Sequence, residues 1–109
     1  MKRIITNKYG GTENLILEET KPKKISTDTV RIKVSNVGVN FADTLVIKGR
    51  YQERPRTPFS PGLELSGTIT EIGPNVKNHK INDRVIGIAK YGTYCDEIVM
   101  PAENVYKIP

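Results

Sequence analysis

The chain has 109 residues, of which 37% are hydrophobic and 27% are charged, and this composition predicts one globular domain over residues 1–109. A chain of this length buries roughly 60–70% of its unfolded surface, so it is expected to fold without disulfides. Seventeen Lys and Arg residues against twelve Asp and Glu residues give a net charge of +5. The composition therefore excludes a disordered chain and a disulfide-rich scaffold.

The single cysteine, Cys95, cannot form an intramolecular disulfide, which favours a reducing, cytoplasmic location. The N-terminus lacks the apolar run of a secretory signal, and we expect no membrane-spanning segment. The basic residues lie in short groups, without interleaved aromatic residues or a helix-turn-helix pattern. The charge pattern therefore argues against nucleic-acid binding and allows an anionic small ligand.

Most segments alternate apolar and polar residues, as half-buried strands require. Turn residues separate these segments, and short strands at such spacing predict a mainly β fold, a barrel or a sandwich. The predicted strands are residues 3–6, 15–18, 30–35, 65–72, 84–89, 94–100 and 105–108.

One short helix, about two turns long, is predicted to begin at Phe41 and to end before Gly49. Phe41, Leu45 and Val46 recur at helical spacing and would form its apolar face. Asn40 precedes the helix as a good N-cap, and Gly49 follows it as a good C′ residue. The helix therefore interrupts the strands between the third and the fourth.

Several catalytic motifs are missing from the sequence. The glycines form neither a dinucleotide-binding nor a phosphate-binding pattern. The only histidine, His79, lies in a charged turn with no nearby nucleophile, which argues against a hydrolase and predicts a solvated side chain. With one cysteine and one histidine, the chain cannot supply a structural zinc site.

Five motifs follow one another along the chain in a characteristic order. They are Gly38-Val39-Asn40-Phe41-Ala42-Asp43; Gly49-Arg50-Tyr51-Gln52; Pro58-Phe59 with Pro61-Gly62 and Glu64; Asn82-Asp83-Arg84-Val85; and Met100-Pro101-Ala102-Glu103-Asn104-Val105 with Lys107-Ile108-Pro109. Together they resemble the NADPH:quinone oxidoreductase family, the zinc-independent branch of the medium-chain dehydrogenase/reductase superfamily. The resemblance implies a GroES-like, partly open β-barrel with one short helix, and a chain that lacks the family's Rossmann domain.

The resemblance also implies the chemistry, which is hydride transfer from NADPH to a quinone or an activated enone. In zinc-dependent relatives a cysteine stands at the position of Asn40 and a histidine at that of Leu63. Both leading metal ligands are replaced here, so hydrogen-bond donors would polarise the substrate carbonyl and no metal site is expected.

Asn40 is the first candidate for the catalytic and cofactor-binding site, because its amide can donate to a substrate carbonyl or a cofactor hydroxyl. The alternative is that Asn40 only caps the helix. Tyr51 is the second catalytic candidate and would orient a quinone oxygen, or else pack as an aromatic under the loop. Some family members carry a further tyrosine where this chain has Leu45.

Glu64 matches a family glutamate near the floor of the site, where it would contact substrate or pair with a cation or a backbone amide. Asp43 is expected to be a first-turn charge that interacts with the helix dipole. Cys95 is expected to be a small, unreactive residue in a strand.

Three interpretations of the whole chain remain open. The first is the catalytic-domain portion of a reductase, as a fragment, a truncated form or half of a split enzyme with a separate dinucleotide-binding chain, and inactive alone. A homodimer is a further possible assembly. The second is a standalone GroES-like binding or assembly module. The third is a nonfunctional remnant.

Overall fold

The computed structural model describes all 109 residues and consists mainly of strands. The strands are β1 (Lys2–Thr6), β2 (Leu15–Glu19), β3 (Thr29–Val37), β4 (Glu64–Ile72), β5 (Arg84–Ile88), β6 (Glu97–Pro101) and β7 (Val105–Lys107). The single α-helix, α1, is Phe41–Ile47, and short 3-10 helices lie at Thr12–Asn14 and Ala102–Asn104. The predicted mainly β fold with one short helix is therefore confirmed.

The strands form two sheets in which every neighbouring pair is antiparallel. β1 pairs with β2 alone, and the other five strands form a sheet in the order β6-β3-β4-β5-β7. Single bridges from Arg3 to Cys95 and from Thr6 to Phe59 connect β1 to two loops. The 109 residues contain no parallel strand pair, and hence no Rossmann domain.

The main core lies on one face of the five-stranded sheet, because alternate residues of each strand point to the same face. A smaller cluster of Val46, Ile47 and Phe59 lies beneath α1, with Leu15 and Tyr51 packed against it. The main core consists of Val30, Ile32, Leu65, Ile69, Val76, Val85, Met100 and Val105.

The face of α1 that packs against the core differs from the face that the sequence predicts. Val46 and Ile47 are buried, but Phe41 is 78% exposed. Asp43 takes part in the buried face instead, so the prediction of Phe41 as a core-facing residue is wrong. A helix of seven residues carries too few apolar positions to fix which side faces the core.

β6 begins at Glu97, three residues later than predicted. The Tyr94 N–H donates to the carbonyl of Pro61, and its own carbonyl accepts from the Ile4 N–H. These bonds hold Tyr94 between the loop before β4 and the strand β1, so it cannot pair with β3. Cys95 therefore forms only one bridge and lies outside the strand.

His79 is buried, with 4% exposure, so the prediction of a solvated side chain is wrong. Its Nε2 lies 3.1 Å from the carbonyl oxygen of Ala102, and its Nδ1 has no hydrogen-bond partner. The turn that carries His79 folds onto the 3-10 helix before β7.

No helix in the structure is long and apolar enough to cross a lipid bilayer.

Candidate functional site

The N-terminal end of α1 is held by a capping box formed by Asn40 and Asp43. The Asn40 N–H donates to Asp43 Oδ2 over 2.9 Å, and the Asp43 N–H donates to the Asn40 carbonyl over 3.0 Å. Asp43 is 3% exposed, so this carboxylate lies inside the fold. The predicted N-cap at Asn40 is confirmed, and Asp43 does more than interact with the helix dipole.

Tyr94 ties this helix end to the rest of the fold. Its hydroxyl donates to Asp43 Oδ2 over 2.8 Å, across 51 residues of sequence. Burial raises the pKa of the Tyr94 hydroxyl far above its usual value, and the hydrogen bond to the Asp43 carboxylate raises it further. The hydroxyl therefore stays protonated at neutral pH and remains a donor to Asp43.

Gly62 allows Tyr94 to approach the helix. Its φ of +114° favours glycine, and a Cβ at this position would overlap Thr93 Oγ1 and contact the Tyr94 ring. Thr93 is fully buried beside it. The Pro61-Gly62 motif thus provides the space in which Thr93 and Tyr94 pack.

Three buried polar atoms around this arrangement have no hydrogen-bond partner in the protein: Asn40 Nδ2, Asp43 Oδ1 and Thr93 Oγ1. Most buried polar groups are paired, and one left unpaired costs about 1–3 kcal/mol. The helix end therefore holds an unpaired amide donor that a ligand oxygen could satisfy.

Glu64 lies near this helix end, because the Gly38 N–H donates to the Glu64 carbonyl over 3.2 Å. Its side chain extends across Gly38, where a Cβ would overlap the carboxylate. The carboxylate is exposed and forms neither an ion pair nor a hydrogen bond, so the expected pairing with a cation or an amide is not observed. Glu64 remains available to a ligand.

Tyr51 lies beyond the other end of α1, whose seven residues rise about 10 Å. Its ring packs against the cluster of Val46, Ile47 and Phe59. This packing favours the alternative in which Tyr51 supports the loop. The structure therefore brings Asn40 and Glu64 to one end of the helix and leaves Tyr51 at the other.

Another cleft, of about 610 Å³, contains none of the predicted site residues. Its lining cations include Arg3 and Arg31, but these are paired with Glu18, Glu71 and Glu97 at 2.7–2.9 Å. Size alone does not identify a site, so we assign the candidate site to the unpaired donor at the start of α1.

Metal binding and thiol chemistry can also be examined from the positions of the side chains. No three His, Cys, Asp or Glu side chains lie close enough together to hold a metal ion. Burial raises the pKa of the Cys95 thiol to about 11. The thiol is thus protonated at neutral pH, in agreement with the expected unreactive residue.

The chain belongs to the family of alcohol dehydrogenase GroES-like domains, whose model matches residues 26–109. This match confirms the GroES-like fold that the motifs implied.

Among curated proteins, the quinone oxidoreductase-like protein 2 of Rattus norvegicus is 39% identical over 95 residues, which are 87% of this chain and 27% of that protein. A homologue from Nematostella vectensis is 36% identical, over 99% of this chain and 30% of that protein. The resemblance to quinone oxidoreductases is therefore confirmed, and the chain spans between a quarter and a third of the length of these relatives.

Solved structures share the fold over the whole chain. The quinone oxidoreductase of Escherichia coli complexed with NADPH has a TM-score of 0.94 and 29% identity, covering 100% of this chain and 33% of that one. The human synaptic vesicle membrane protein VAT-1 homolog-like protein has the same TM-score and 33% identity, covering 100% of this chain and 35% of that one.

Sequence reasoning missed Tyr94 and Thr93 as parts of this site. Tyr94 fell in a segment predicted to be a strand, and nothing local links it to Asp43. The one available signal was Gly62 after Pro61, which indicates a backbone position that other chain segments approach closely.

Proposed function

We propose that residues 1–109 form the catalytic domain of an NADPH-dependent quinone or enone reductase that transfers hydride without zinc. The observation that carries the proposal is the buried, unpaired Nδ2 of Asn40 at the start of α1. The named quinone oxidoreductases among the relatives support it. Because the chain spans only part of those relatives, the activity would belong to the larger protein.

In this proposal Asn40 donates a hydrogen bond to the substrate carbonyl or to a hydroxyl of the cofactor. NADPH, when bound, supplies the hydride. The amide would stabilise the negative charge that develops on the carbonyl oxygen as the hydride adds to the substrate. Asp43 and Tyr94 hold the backbone of Asn40, and the amide needs no change of protonation.

The proton that completes the reduction would come from solvent. Tyr94 is a poor acid, because its pKa is raised and its proton is directed to Asp43. Leu45 has no proton to give. We place Glu64 as a contact to the substrate, since its carboxylate lies against Gly38 beside Asn40 and forms no hydrogen bond within the protein. Tyr51, which packs beyond the opposite end of α1, supports the loop instead.

A chimera tests the proposal. Residues 1–109 replace the equivalent third of the Escherichia coli quinone oxidoreductase, onto which they superpose with a TM-score of 0.94. We expect NADPH-dependent quinone reduction by the chimera. Asn40→Ala should lower kcat by about 100- to 1000-fold, as the loss of one donor to an oxyanion does.

The matched control is Asn78→Ala, which changes an exposed asparagine far along the chain. Alanine retains the backbone N–H that Asn40 donates to Asp43, so the variant should keep its fold, which circular dichroism would check. A folded chimera without turnover, or equal kcat for Asn40→Ala and Asn78→Ala, would contradict the proposal.

A further inference from the structure

An open groove of about 430 Å³ lies between the β1–β2 pair and the end of β3. Leu17 and Val39 stand at its rim with 65% and 81% exposure, among the most exposed large apolar side chains in the chain. Val34, Val37 and Tyr94 also line it. We call this the Leu17–Val39 groove; it leaves apolar surface in contact with water, which is unfavourable unless something covers it.

The groove adjoins the candidate site. Val39 directly precedes Asn40, and Tyr94 both lines the groove and donates to Asp43. On its other side, the groove shares Asn36 and Val37 with a second cavity of about 360 Å³.

That second cavity is lined by Gly38, Glu64, Leu65 and Ile86 among others. The segment between β3 and α1 thus separates two concave surfaces, and both of them reach the residues around Asn40. A molecule whose carbonyl is held by Asn40 could extend an apolar group past the neighbouring Val39 into the Leu17–Val39 groove.

The size and the charges of the groove indicate its occupant. The groove, at about 430 Å³, lies within the range of about 300–1000 Å³ that is typical of small-ligand sites. A protein partner would instead need a surface of about 800 Å² on each side. Of the charged residues at the groove, Arg3 pairs with Glu18 at 2.8 Å and Asp96 accepts from the Lys2 N–H at 2.9 Å, whereas the exposed Lys2 ammonium forms no ion pair. The guanidinium and the carboxylate are therefore engaged within the protein, and the Lys2 side chain is long enough to keep its charge in solvent.

We propose that the Leu17–Val39 groove binds the apolar substituent of the quinone or enone substrate. Leu17 and Val39 are then specificity-determining residues that favour substrates with an alkyl chain or a second apolar ring. The inference rests on the proposed function, because the substituent must belong to the molecule whose carbonyl Asn40 binds.

The test compares two fully substituted benzoquinones, tetramethylbenzoquinone and trimethyl-decylbenzoquinone, titrated into the isotope-labelled 109-residue chain below the micellar concentration. Amide shifts report binding. We expect the decyl compound to bind at least about tenfold more tightly, with shifts at residues 35–39 and 94. Leu17→Ser and Val39→Ser should each reduce this ratio towards one.

Ile81→Ser is the control, since Ile81 is an exposed apolar residue outside the groove, and it should change neither affinity. Equal affinity for the two compounds, with shifts near Asn40, would overturn the groove proposal and leave the proposed function standing. Binding of neither compound would overturn the groove proposal, and the activity of the chimera then decides the proposed function separately. Preferential binding of the decyl compound that survives Leu17→Ser and Val39→Ser would show nonspecific partition and overturn the groove proposal.

Self-association is a distinct outcome. If sedimentation showed a dimer of the chain that Val39→Ser dissolves and the decyl compound does not, the groove would be an interface between two copies and the proposal would be wrong.

Discussion

Asp43 is a carboxylate inside the fold, and only one of its two oxygens is hydrogen-bonded. Burying a charge is costly unless donors surround it, so each of the two donors to Oδ2 matters. One is the Asn40 N–H, which any substitution except proline retains. The other is the Tyr94 hydroxyl, which makes Tyr94 the side chain that controls this charge.

Tyr94→Phe should lower the free energy of unfolding by about 1.5–3 kcal/mol at neutral pH, the usual loss for a hydrogen bond to a charged group. The loss should depend on pH. An unfolded tyrosine titrates near 10, and the pKa of folded Tyr94 is higher. The unfolded state therefore binds fewer protons above pH 10, and the advantage of wild type over Tyr94→Phe declines as the pH rises further.

Urea unfolding between pH 7 and 11 measures this difference. Tyr106→Phe is the control, because Tyr106 is exposed and should behave as wild type. An advantage of wild type over Tyr94→Phe that stays constant from pH 7 to 11 would show that neither burial nor the hydrogen bond to Asp43 raises the pKa of the folded Tyr94 hydroxyl.

Cys95 should react slowly with thiol reagents in the folded chain. With its pKa raised to about 11 by burial, its thiolate fraction at neutral pH is about 100-fold below that of an ordinary exposed thiol. Reaction with Ellman's reagent, with and without urea, measures the ratio. Comparable rates in the folded and unfolded chain would mean that the thiol is accessible and ionised.

His79 should tolerate an apolar replacement better than a small one. His79→Ala leaves a cavity and should cost about 2 kcal/mol. His79→Phe removes the unpaired Nδ1, and the Ala102 carbonyl keeps the N–H of Val105 as a donor, so its cost should be close to zero. Thermal unfolding of the two variants compares them; a greater loss for phenylalanine than for alanine would show that the site cannot accept the larger ring.

At the scale of elements, Arg31 joins three strands and a loop. From β3, its guanidinium donates to Glu71 of β4 at 2.9 Å, to Glu97 of β6 at 2.7 Å and to the carbonyl of Lys23 at 2.6 Å. The hydrogen bond to Glu71 is the largest factor that raises the pKa of Arg31. The edge strand β6 is thus held by charge as well as by its backbone ladder.

Arg31→Gln should destabilise the chain by about 1 kcal/mol, since these partly exposed pairs are screened by solvent. The loss should shrink in high salt, because added ions weaken the charge pairs. Thermal unfolding at low and high salt checks both. Lys33→Gln, on the same strand and without an ion pair, is the control; an equal loss there would mean that net charge, not the Arg31 contacts, is responsible.

The elements that sequence predicted well are those with local signals. β3 alternates apolar and polar residues, and α1 follows an N-cap and stops shortly before Gly49, whose φ is +71°. The features that sequence missed depend on distant parts of the chain. Tyr94 meets Asp43 across 51 residues of sequence, where Gly62 leaves room for it, and His79 is buried by the segment of Ala102.

At the scale of the whole molecule, the proposed function would place only one side of a hydride transfer in this chain. In that proposal Asn40 would hold a carbonyl, but every strand pair is antiparallel, and no parallel unit offers a helix N-terminus to a pyrophosphate. We expect the purified 109-residue chain to show no NADPH oxidation with simple quinones. Absorbance of NADPH at 340 nm measures this, with the Escherichia coli quinone oxidoreductase as the positive control.

Quinone binding and NADPH oxidation, measured on the same purified chain, together show why the chain is inactive. If the chain binds tetramethylbenzoquinone but does not oxidise NADPH, the carbonyl site is formed and the missing part is the nucleotide-binding fold. Turnover by the pure chain that Asn40→Ala abolishes would show that this domain binds NADPH productively by itself. The dinucleotide would then have to be held without a Rossmann fold, by the surfaces around the start of α1.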